Sequence, residues 1–355
     1  MVYKKQIPMN KPLVSIILAT YNSEDYLTEC LKSIFSTSYP NFELIIIDNK
    51  STDKTINIIK KFKDKYKENI NLILSSKNLG YAKANNKAVK QSKGDFIFIL
   101  NPDTIVSDNF LEPLIEEIIK PNVSAVQPLV YLFDKKTINL TGKVTHYLGF
   151  DWLKDFKKTN IPKRQVIKSF SGSGILVSKE YFNKVGGFDE LFFMYYEDSD
   201  LSWKFNLIDK KIIFTPKSVL LHDYKYIPKD NYQPLKQKLF YIERNRLITL
   251  FKNLSLKSLL LILPSLIFME LGMIVFSFYE GWGITKLKTY FSILNNMSLI
   301  LKNRRLIQSQ RKISDKLIFK NFVSSITFEK FSNPIIKYFV NPILSAYFLI
   351  IKVFI

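Results

Sequence analysis

The sequence predicts an α/β protein with a mostly parallel central sheet, helices on both faces of that sheet, and a C-terminal helical region. Two observations support this fold class. Apolar runs of strand length alternate with helical patterns through the first half of the chain, a rhythm that is typical of buried parallel sheets. From about Tyr232 onward the chain instead shows helical patterns in which basic and apolar stretches alternate. We therefore expect a catalytic-type α/β domain over residues 1–231 and a helical, membrane-associating region over residues 232–355.

Each element of the first domain follows from a short pattern. Apolar runs predict four strands, and the segments between them have helical periodicity. The predicted strands are Leu13–Ala19, Glu43–Ile47, Asn71–Leu74 and Asp95–Leu100, and the predicted helices are Ser23–Ser36, Asp53–Tyr66, Tyr81–Gln91 and Asn109–Ile119. Residues Tyr131–Lys168 form a polar insertion without clear periodicity. Strand character resumes at Ser171–Val177 and Lys211–Leu221.

The charge of the chain is strongly positive and unevenly distributed. The formal net charge is +21, and from Lys225 to the end 20 Lys and Arg stand against 6 Asp and Glu, a net of +14. Such a block is attracted to polyanions, either nucleic acid or anionic lipid headgroups. The single cysteine, Cys30, excludes an internal disulfide and suits a reducing compartment. Because Met1–Lys11 does not read as a signal peptide, we expect activity on the cytoplasmic side.

Apolar stretches in the C-terminal region favour a membrane over nucleic acid as the polyanion. Ser258–Tyr279 contains one charge, Glu270, and one proline, Pro264, so it fits an interfacial or re-entrant helix at least as well as a spanning one. Tyr338–Ile351 is uncharged and too short to span comfortably. Lys302–Lys320 between them carries seven basic residues. We expect adhesion to an anionic membrane surface at the cytoplasmic face of the cell membrane, and no nucleic-acid partner.

Polar residues cluster directly after each predicted strand, where α/β sheets place their ligands. They are Thr20, Tyr21 and Asn22 after the first strand, Asp48 after the second, Asn78 and Gly80 after the third, and Asn101 to Asp103 after the fourth. No glycine-rich dinucleotide fingerprint or Walker lysine loop is present. A phosphate-bearing ligand would then need a divalent cation, Mg²⁺ or Mn²⁺, which Asp103 could hold.

A second group of carboxylates opens a later helical pattern. Glu197, Asp198 and Asp200 lie within four residues, which could merely stabilise a helix N-terminus. Beside a metal and a diphosphate, a carboxylate here could also act as a general base for an acceptor hydroxyl. His222, directly after a strand, could complete the coordination of the metal, although a lone histidine is more often structural.

Six segments in order resemble glycosyltransferase family 2, and most closely its rhamnosyltransferase-like members. The segments are Val14–Asn22, Asp48–Asp53, Asn78–Asn85, Gly94–Thr104, Gly186–Asp189 and Glu197–Trp203, and the resemblance covers roughly residues 12–250. Tyr241–Leu247 (YIERNRL) also resembles a motif that follows the catalytic domain in this subgroup. The resemblance implies a GT-A fold and a metal-dependent transfer that inverts the anomeric centre.

The resemblance also implies roles for individual residues. Thr20, Tyr21, Asn22, Asp48, Asn78 and Gly80 would bind the nucleotide sugar, with Asp48 accepting from the base. Asp103 ends the D-x-D motif and would bind the metal, while Asn101 departs from the motif as a weaker ligand. Asp198 would be the catalytic base, with Glu197 second. The acceptor would be a hydroxyl of a polysaccharide or lipid-linked glycan, and rhamnose is the donor sugar that the subgroup suggests.

Two other functions remain open on the sequence. A sugar nucleotidyltransferase shares the sheet and the metal, but Thr20–Tyr26 contains neither glycine nor Lys or Arg to bind a triphosphate. A non-catalytic membrane scaffold or glycan-binding module with a degenerate transferase fold would not need Asp48, Asp103 and Asp198 together.

Overall fold

The computed structural model describes residues 11–67, 69–223, 232–327 and 334–355, without the side chains of residues 232–234. The chain forms two compact units, each built from separate segments. The first unit comprises Met1–Gly142, Leu153–Phe193 and Lys210–Tyr224, and the second comprises Lys143–Trp152, Met194–Asp209 and Lys225–Ile355. The predicted end of the catalytic domain at residue 231 stays a prediction.

The described residues form strands and helices whose bounds are as follows. The strands are β1 (Val14–Thr20), β2 (Phe42–Asp48), β3 (Ile70–Leu74), β4 (Phe96–Leu100), β5 (Thr104–Val106), β6 (Val123–Tyr131), β7 (Ile138–Leu140), β8 (Lys143–Thr145), β9 (Asp151–Leu153), β10 (Gln165–Ile167), β11 (Gly174–Ser178) and β12 (Lys211–His222). The helices are α1 (Glu24–Phe35), α2 (Thr55–Lys65), α3 (Gly80–Val89), α4 (Leu111–Ile118), α5 (Lys179–Lys184), α6 (Glu197–Leu207), α7 (Tyr232–Asn253), α8 (Leu256–Tyr279), α9 (Gly283–Asn295), α10 (Met297–Gln310), α11 (Asp315–Phe319) and α12 (Asn341–Phe354). A π-helical turn, Ile336–Val340, leads into α12.

A large mixed sheet forms the centre of the first unit. Its strand order is β10-β12-β6-β11-β4-β1-β2-β3. The portion from β4 to β3 is parallel, as the sequence predicts, whereas β11 runs antiparallel to both β4 and β6. Alternate residues of β1 (Val14, Ile16 and Leu18) pack in one core with α1, α2 and α4. Helix α3 packs against β1 and β2 outside that core, so both faces are covered.

The insertion Tyr131–Lys168 contains regular structure that the sequence does not reveal. Strands β7 and β10 join the large sheet of the first unit, and β8 and β9 form a separate two-stranded ribbon. Each of these four strands has only three residues. A period of two cannot be recognised in so short a segment, which explains why the pattern appears irregular.

The second unit consists of helices packed around an aromatic core and buried ion pairs. Tyr147, Trp203, Leu250 and Phe348 lie in this core. Arg246 of α7 is fully buried and pairs with Glu243 and with Glu270 of α8, while Lys286 of α9 binds the same two carboxylates at 2.5 and 2.7 Å. The lone acidic residue of the apolar α8 is therefore satisfied within the unit.

The last helix is longer than the sequence predicts. The helical segment Ile336–Phe354 has 19 residues, because it continues past the charged Lys337 and Lys352 that bound the uncharged run. By length and composition, this segment and Leu256–Tyr279 could each cross a membrane, and only 17% of either apolar window is buried. The expectation that the last segment is too short is therefore wrong for the helix as a whole.

Candidate active site

The residues predicted after β1 and β2 form one hydrogen-bonded network. Asp48 is 1% exposed and accepts from the Thr20 hydroxyl at 3.0 Å, and from the backbone N–H and hydroxyl of Ser51 at 2.9 and 2.5 Å. Asn22 has a positive φ of 47°, and its side chain accepts from the Thr52 N–H at 2.8 Å. A carboxylate has about four acceptor positions. Asp48 thus joins two strand ends and retains capacity for a further donor.

The loop after β3 is fixed by its amide side chains. The Asn78 side chain accepts from the Gly80 N–H at 2.9 Å, and Asn49, next to Asp48, accepts from the Leu79 N–H at 3.3 Å. Gly80 has a φ of +75°, and a Cβ there would collide with the Phe193 carbonyl oxygen. Glycine is therefore required at this turn. Tyr21, at the end of β1, is half exposed.

Asp103 and His222 come together although they are far apart in sequence. Strand β5 pairs antiparallel with β12, and His222 lies opposite Thr104 in that pairing. As a result, His222 Nε2 lies 3.5 Å from Asp103 Oδ2. The other ring nitrogen of His222 lies 3.0 Å from the side-chain oxygen of Asn139, in the insertion. An N–H at Nδ1 that donates to Asn139 leaves the Nε2 lone pair directed toward Asp103.

Two side-chain oxygens at this position are buried without a hydrogen-bond partner. They are Asp103 Oδ1 and Asn101 Oδ1, the two ends of the D-x-D-like motif. Buried acceptors are normally satisfied, so this pair fits a bound cation. Within the described ranges, no group of three or more His, Cys, Asp or Glu side chains is arranged to hold a metal ion. A Mg²⁺-type ion held by one or two protein ligands takes its remaining ligands from substrate phosphates and water.

The turn before α6 is strained and held by α7. Tyr195 and Tyr196 both have left-handed backbone conformations, with φ of 65° and 70°. The Asn245 side chain donates to the carbonyl oxygens of Met194 and Tyr195 at 3.0 and 2.7 Å, and the Tyr196 hydroxyl donates to the Gly149 carbonyl at 3.0 Å. Such backbone strain persists where surrounding contacts enforce it. The segment Tyr241–Leu247 therefore supports the start of the helix that carries Glu197 and Asp198.

Asp198 forms a close ion pair in the second unit. Lys143 Nζ of β8 lies 2.6 Å from Asp198 Oδ1, and both side chains are nearly buried. The same oxygen accepts from the Ser199 N–H at 2.7 Å. Glu197 is buried beside it, and its Oε2 has no hydrogen-bond partner. Burial, together with the charge of Asp198, raises the pKa of Glu197 to about 8.

Asp200, the third carboxylate of this turn, has a different environment. It is fully buried and contacts Lys252 and Lys204 at 3.1 Å and the Asn253 amide at 2.9 Å. Asp200 thus links α6 to α7. The sequence identifies these three acidic residues and Lys204, four residues after Asp200, but it does not identify Lys143 and Lys252, which lie 55 and 52 residues away from their partners.

The chain matches known proteins over its first half. Residues 15–186 match the glycosyl transferase family 2 model. An uncharacterized glycosyltransferase of Haemophilus influenzae is 42% identical over 29% of this chain and 41% of its own length. A poly-β-1,6-N-acetyl-D-glucosamine synthase of Staphylococcus epidermidis is 30% identical over 58% of this chain and 48% of its own length. The chain therefore spans less than half the length of these curated relatives.

A solved structure supports the fold independently. GalNAc-T7, crystallised with UDP, GalNAc and Mn²⁺, superposes with a TM-score of 0.58 at 14% identity, covering 69% of this chain and 48% of the other. At that identity the likeness concerns the fold alone. The rhamnosyltransferase-like subgroup is not confirmed by these matches and stays a prediction. The match over residues 15–186 agrees with the expected resemblance to glycosyl transferase family 2, and the fold expectation is confirmed: the chain has the GT-A fold.

Proposed function

We propose that the protein is an inverting, metal-dependent glycosyltransferase that moves a sugar from a nucleotide sugar to a hydroxyl of a polysaccharide or lipid-linked glycan. One observation carries the proposal: Asp103 and His222 meet within a family 2 fold, beside two unpartnered buried oxygens. A sugar nucleotidyltransferase and a non-catalytic scaffold with a degenerate transferase fold are the alternatives that the donor screen below tests.

The donor would be held by the first unit. Thr20, Tyr21, Asn22, Asp48, Asn78 and Gly80 are the residues that we assign to the nucleotide sugar. Asp48 is fixed by Thr20 and Ser51 and has an acceptor position left for an N–H of the base. Tyr21, which is half exposed, offers a ring face against which a planar base can stack.

Asp103 and His222 would hold the divalent cation, Mg²⁺ or Mn²⁺. A bound cation stabilises the negative charge that develops on the leaving diphosphate. Asn101 has an amide in place of the first carboxylate of the motif and contributes no charge. The Asn139 side-chain oxygen, 3.0 Å from the other ring nitrogen of His222, would accept a proton carried there and so favour the tautomer whose Nε2 can bind a cation.

Asp198 would accept the proton of the acceptor hydroxyl. The acceptor oxygen then bonds to the anomeric carbon, and the bond from that carbon to the diphosphate oxygen breaks. One displacement of this kind inverts the anomeric configuration. Near neutral pH a sugar hydroxyl is a poor nucleophile, and general-base assistance typically contributes about 10²–10⁴-fold. Glu197 is the second candidate for the base.

The proposed substrate class is based on the names of the relatives. The Staphylococcus epidermidis relative is a poly-β-1,6-N-acetyl-D-glucosamine synthase. We carry over the general class, synthesis of a polysaccharide, and not its particular sugar. Rhamnose remains a candidate donor sugar through the subgroup resemblance.

A thermal-shift screen of nucleotide sugars tests donor binding. We expect one nucleotide class to raise the melting temperature of the full chain, and the rise to be larger with Mn²⁺ or Mg²⁺ than with EDTA, because a ligand that binds only the folded state stabilises it. Stabilisation by a nucleoside triphosphate that equals or exceeds stabilisation by the nucleotide sugar would favour a nucleotidyltransferase, because such an enzyme binds the triphosphate as substrate and the nucleotide sugar as product. Absence of any nucleotide effect would favour the scaffold.

We further propose that the region 232–355 attaches the enzyme to the cytoplasmic face of the cell membrane. Helix α8 presents an exposed apolar stripe at helical spacing, formed by Leu260, Leu263, Ile267, Leu271 and Val275. Its Glu270 instead pairs with Arg246 and Lys286, inside the unit. An apolar stripe of this length is unusual on a protein surrounded by water and suits a helix lying in a lipid interface.

The basic residues between the apolar helices divide into two groups. Arg304 donates to the Phe251 and Leu254 carbonyls, and Arg311 donates to the Asn253 carbonyl and Asp315, so both are engaged around the end of α7. The exposed members of the stretch are Lys302, Arg305, Lys312, Lys316 and Lys320. These five are the candidates for anionic headgroups, a smaller set than the seven predicted from the sequence.

Vesicle binding tests this assignment. Replacing the five exposed residues by Gln should weaken binding to phosphatidylglycerol-containing vesicles at least tenfold, since each basic residue near such a surface contributes about 1 kcal/mol. High salt should release much of the wild-type protein. The matched control changes five exposed lysines of the first unit to Gln: Lys60, Lys61, Lys87, Lys90 and Lys93. Equal loss in the control, or extraction only by detergent, would contradict electrostatic attachment.

A further inference from the structure

Lys143 is a nearly buried lysine of the second unit, and the mechanism proposed above assigns it no role. It lies in β8, within the insertion Tyr131–Lys168. Its ammonium contacts Asp198 Oδ1 at 2.6 Å and the Ser199 hydroxyl at 3.0 Å. Only 13% of the lysine side chain and 9% of the Asp198 side chain are exposed. A lysine so far removed from water needs a reason for its position.

The groups around Lys143 are mainly acidic. The carboxyl groups of Asp151 on β9, Glu197 on α6 and Asp198 interact electrostatically with the Lys143 ammonium. Asp200 instead pairs with Lys204 and with Lys252 of α7. Burial opposes the charge of Lys143, but the carboxylates of Asp198 and Asp151 raise its pKa above the usual value. Burial also raises the pKa of Asp151 to about 6 against the opposing effect of Lys143. The Lys143 ammonium therefore interacts electrostatically with three carboxyl groups, and it contacts Asp198 directly.

This arrangement distinguishes the two candidate bases. Asp198 has both an ammonium and the Ser199 N–H directed at one of its oxygens. Glu197 Oε2 is buried without a partner, which favours the protonated carboxyl. We propose that Lys143 is a positioning residue that fixes the Asp198 carboxylate in one orientation.

The inference rests on the proposed function, because it assigns Lys143 a role through Asp198. An ion pair at one oxygen restrains rotation of the carboxylate, so the second oxygen is held in a defined direction. The ammonium also places a positive charge 2.6 Å from that oxygen. Lys143 itself transfers no proton and contacts neither substrate in this account. Its effect on the reaction should therefore appear in turnover and in pH dependence.

The first test uses the full chain without any substrate. In Lys143→Met, three buried carboxyl groups lose their shared cation, so the folded state binds more protons than the unfolded state. Stability then falls as pH rises. We expect the melting temperature of this variant to decline more steeply than that of the wild type between about pH 5.5 and pH 8.5. Lys143→Arg should restore most of the wild-type profile, and Lys61→Met, at an exposed position on α2, should leave it unchanged.

A double mutant identifies the carboxylate involved. In an Asp198→Asn background the charge that Lys143 compensates is absent, so adding Lys143→Met should produce a shallower pH dependence than it does in the wild type. An equal loss of melting temperature at every pH would overturn the inference. So would a Lys143→Arg variant that behaves like Lys143→Met.

The second test measures turnover as nucleoside diphosphate release from UDP-N-acetylglucosamine, UDP-galactose or GDP-mannose, whichever the wild type accepts. Lys143→Met should lower kcat at least tenfold with little change in donor KM, and should move the acidic limb of the kcat profile about one pH unit upward. Lys143→Arg should recover much of that loss. A changed KM with an unchanged acidic limb would overturn the positioning role.

Different results would contradict the role of Asp198 as the base and the role of Lys143 as a positioning residue. If Asp198→Asn turns over normally while the pH-dependent coupling to Lys143 is present, the proposed base is wrong and the ion pair is only structural. If Asp198→Asn is inactive and Lys143→Met retains the wild-type profile, the base stands and the role of Lys143 is wrong.

Discussion

Asp198→Asn should lose about 10²–10⁴-fold in turnover while it retains donor affinity. Asparagine has the shape of aspartate and keeps an oxygen that can accept from Lys143, 2.6 Å away in the wild type. It has no oxygen basic enough to take a proton from a hydroxyl. The loss corresponds to about 3–5 kcal/mol of activation free energy. Single-turnover rates and donor dissociation constants, measured on the same preparations, check the separation of chemistry from binding.

Two variants, one in α6 and one just after it, serve as comparisons for Asp198→Asn. Asp209→Asn makes the same chemical change at an exposed position just after the helix, where φ is 60° and asparagine is well tolerated, so it should keep full activity. Glu197→Gln replaces a carboxyl whose pKa is raised to about 8 and which is mostly neutral at pH 7, so its effect should be smaller. Normal turnover in Asp198→Asn with an inactive Glu197→Gln would move the base to Glu197.

Asp103→Ala should abolish transfer and also the part of nucleotide binding that depends on a divalent cation. The substitution removes the carboxylate whose Oδ1 has no partner in the structure and whose Oδ2 lies near His222. Without that charge, the cation and the diphosphate it neutralises lose their anchor on the protein. Calorimetric titration of UDP and GDP, with Mn²⁺ and then with EDTA, measures the effect without requiring the acceptor.

The control for Asp103→Ala is Asp64→Ala, an exposed carboxylate on α2. His222→Ala should show a weaker form of the same defect, since it leaves Asp103 in place. Full activity of the wild type in EDTA, or cation-dependent binding that survives in Asp103→Ala, would contradict the assignment of the metal.

The strands that build the first half of the sheet could be predicted because apolar residues dominate each of them, although only β1 is buried throughout and β3 is partly exposed. Predicted and observed bounds of β1 to β4 agree to within one residue, as for Leu13–Ala19 against Val14–Thr20. The pairing of Asp103 with His222 could be anticipated only as a chemical possibility. It depends on β5 lying beside β12, and a three-residue strand gives no periodic signal of its partner.

The surroundings of Asp198 could not be predicted from the local sequence. The carboxylates are visible because they are adjacent, and Lys204 lies four residues after Asp200, but Lys143 and Lys252 come from β8 and α7. The same limit applies to Glu270. From the sequence it argued against a spanning helix, whereas in the structure it belongs to an ion-pair network with Arg246 and Lys286. Long-range pairing of charges leaves no pattern along the chain.

We propose that the protein transfers sugar from a nucleotide donor, and the most direct test is to measure the glycosylated product. Full-length protein, Mn²⁺ and a labelled nucleotide sugar chosen by the thermal-shift screen would be incubated with a membrane extract containing glycan acceptors. We expect label to enter the glycan or lipid fraction with equimolar release of nucleoside diphosphate, and both signals to vanish in Asp103→Ala and Asp198→Asn. Donor binding without label transfer in the wild type, or transfer that both variants retain, would contradict the account.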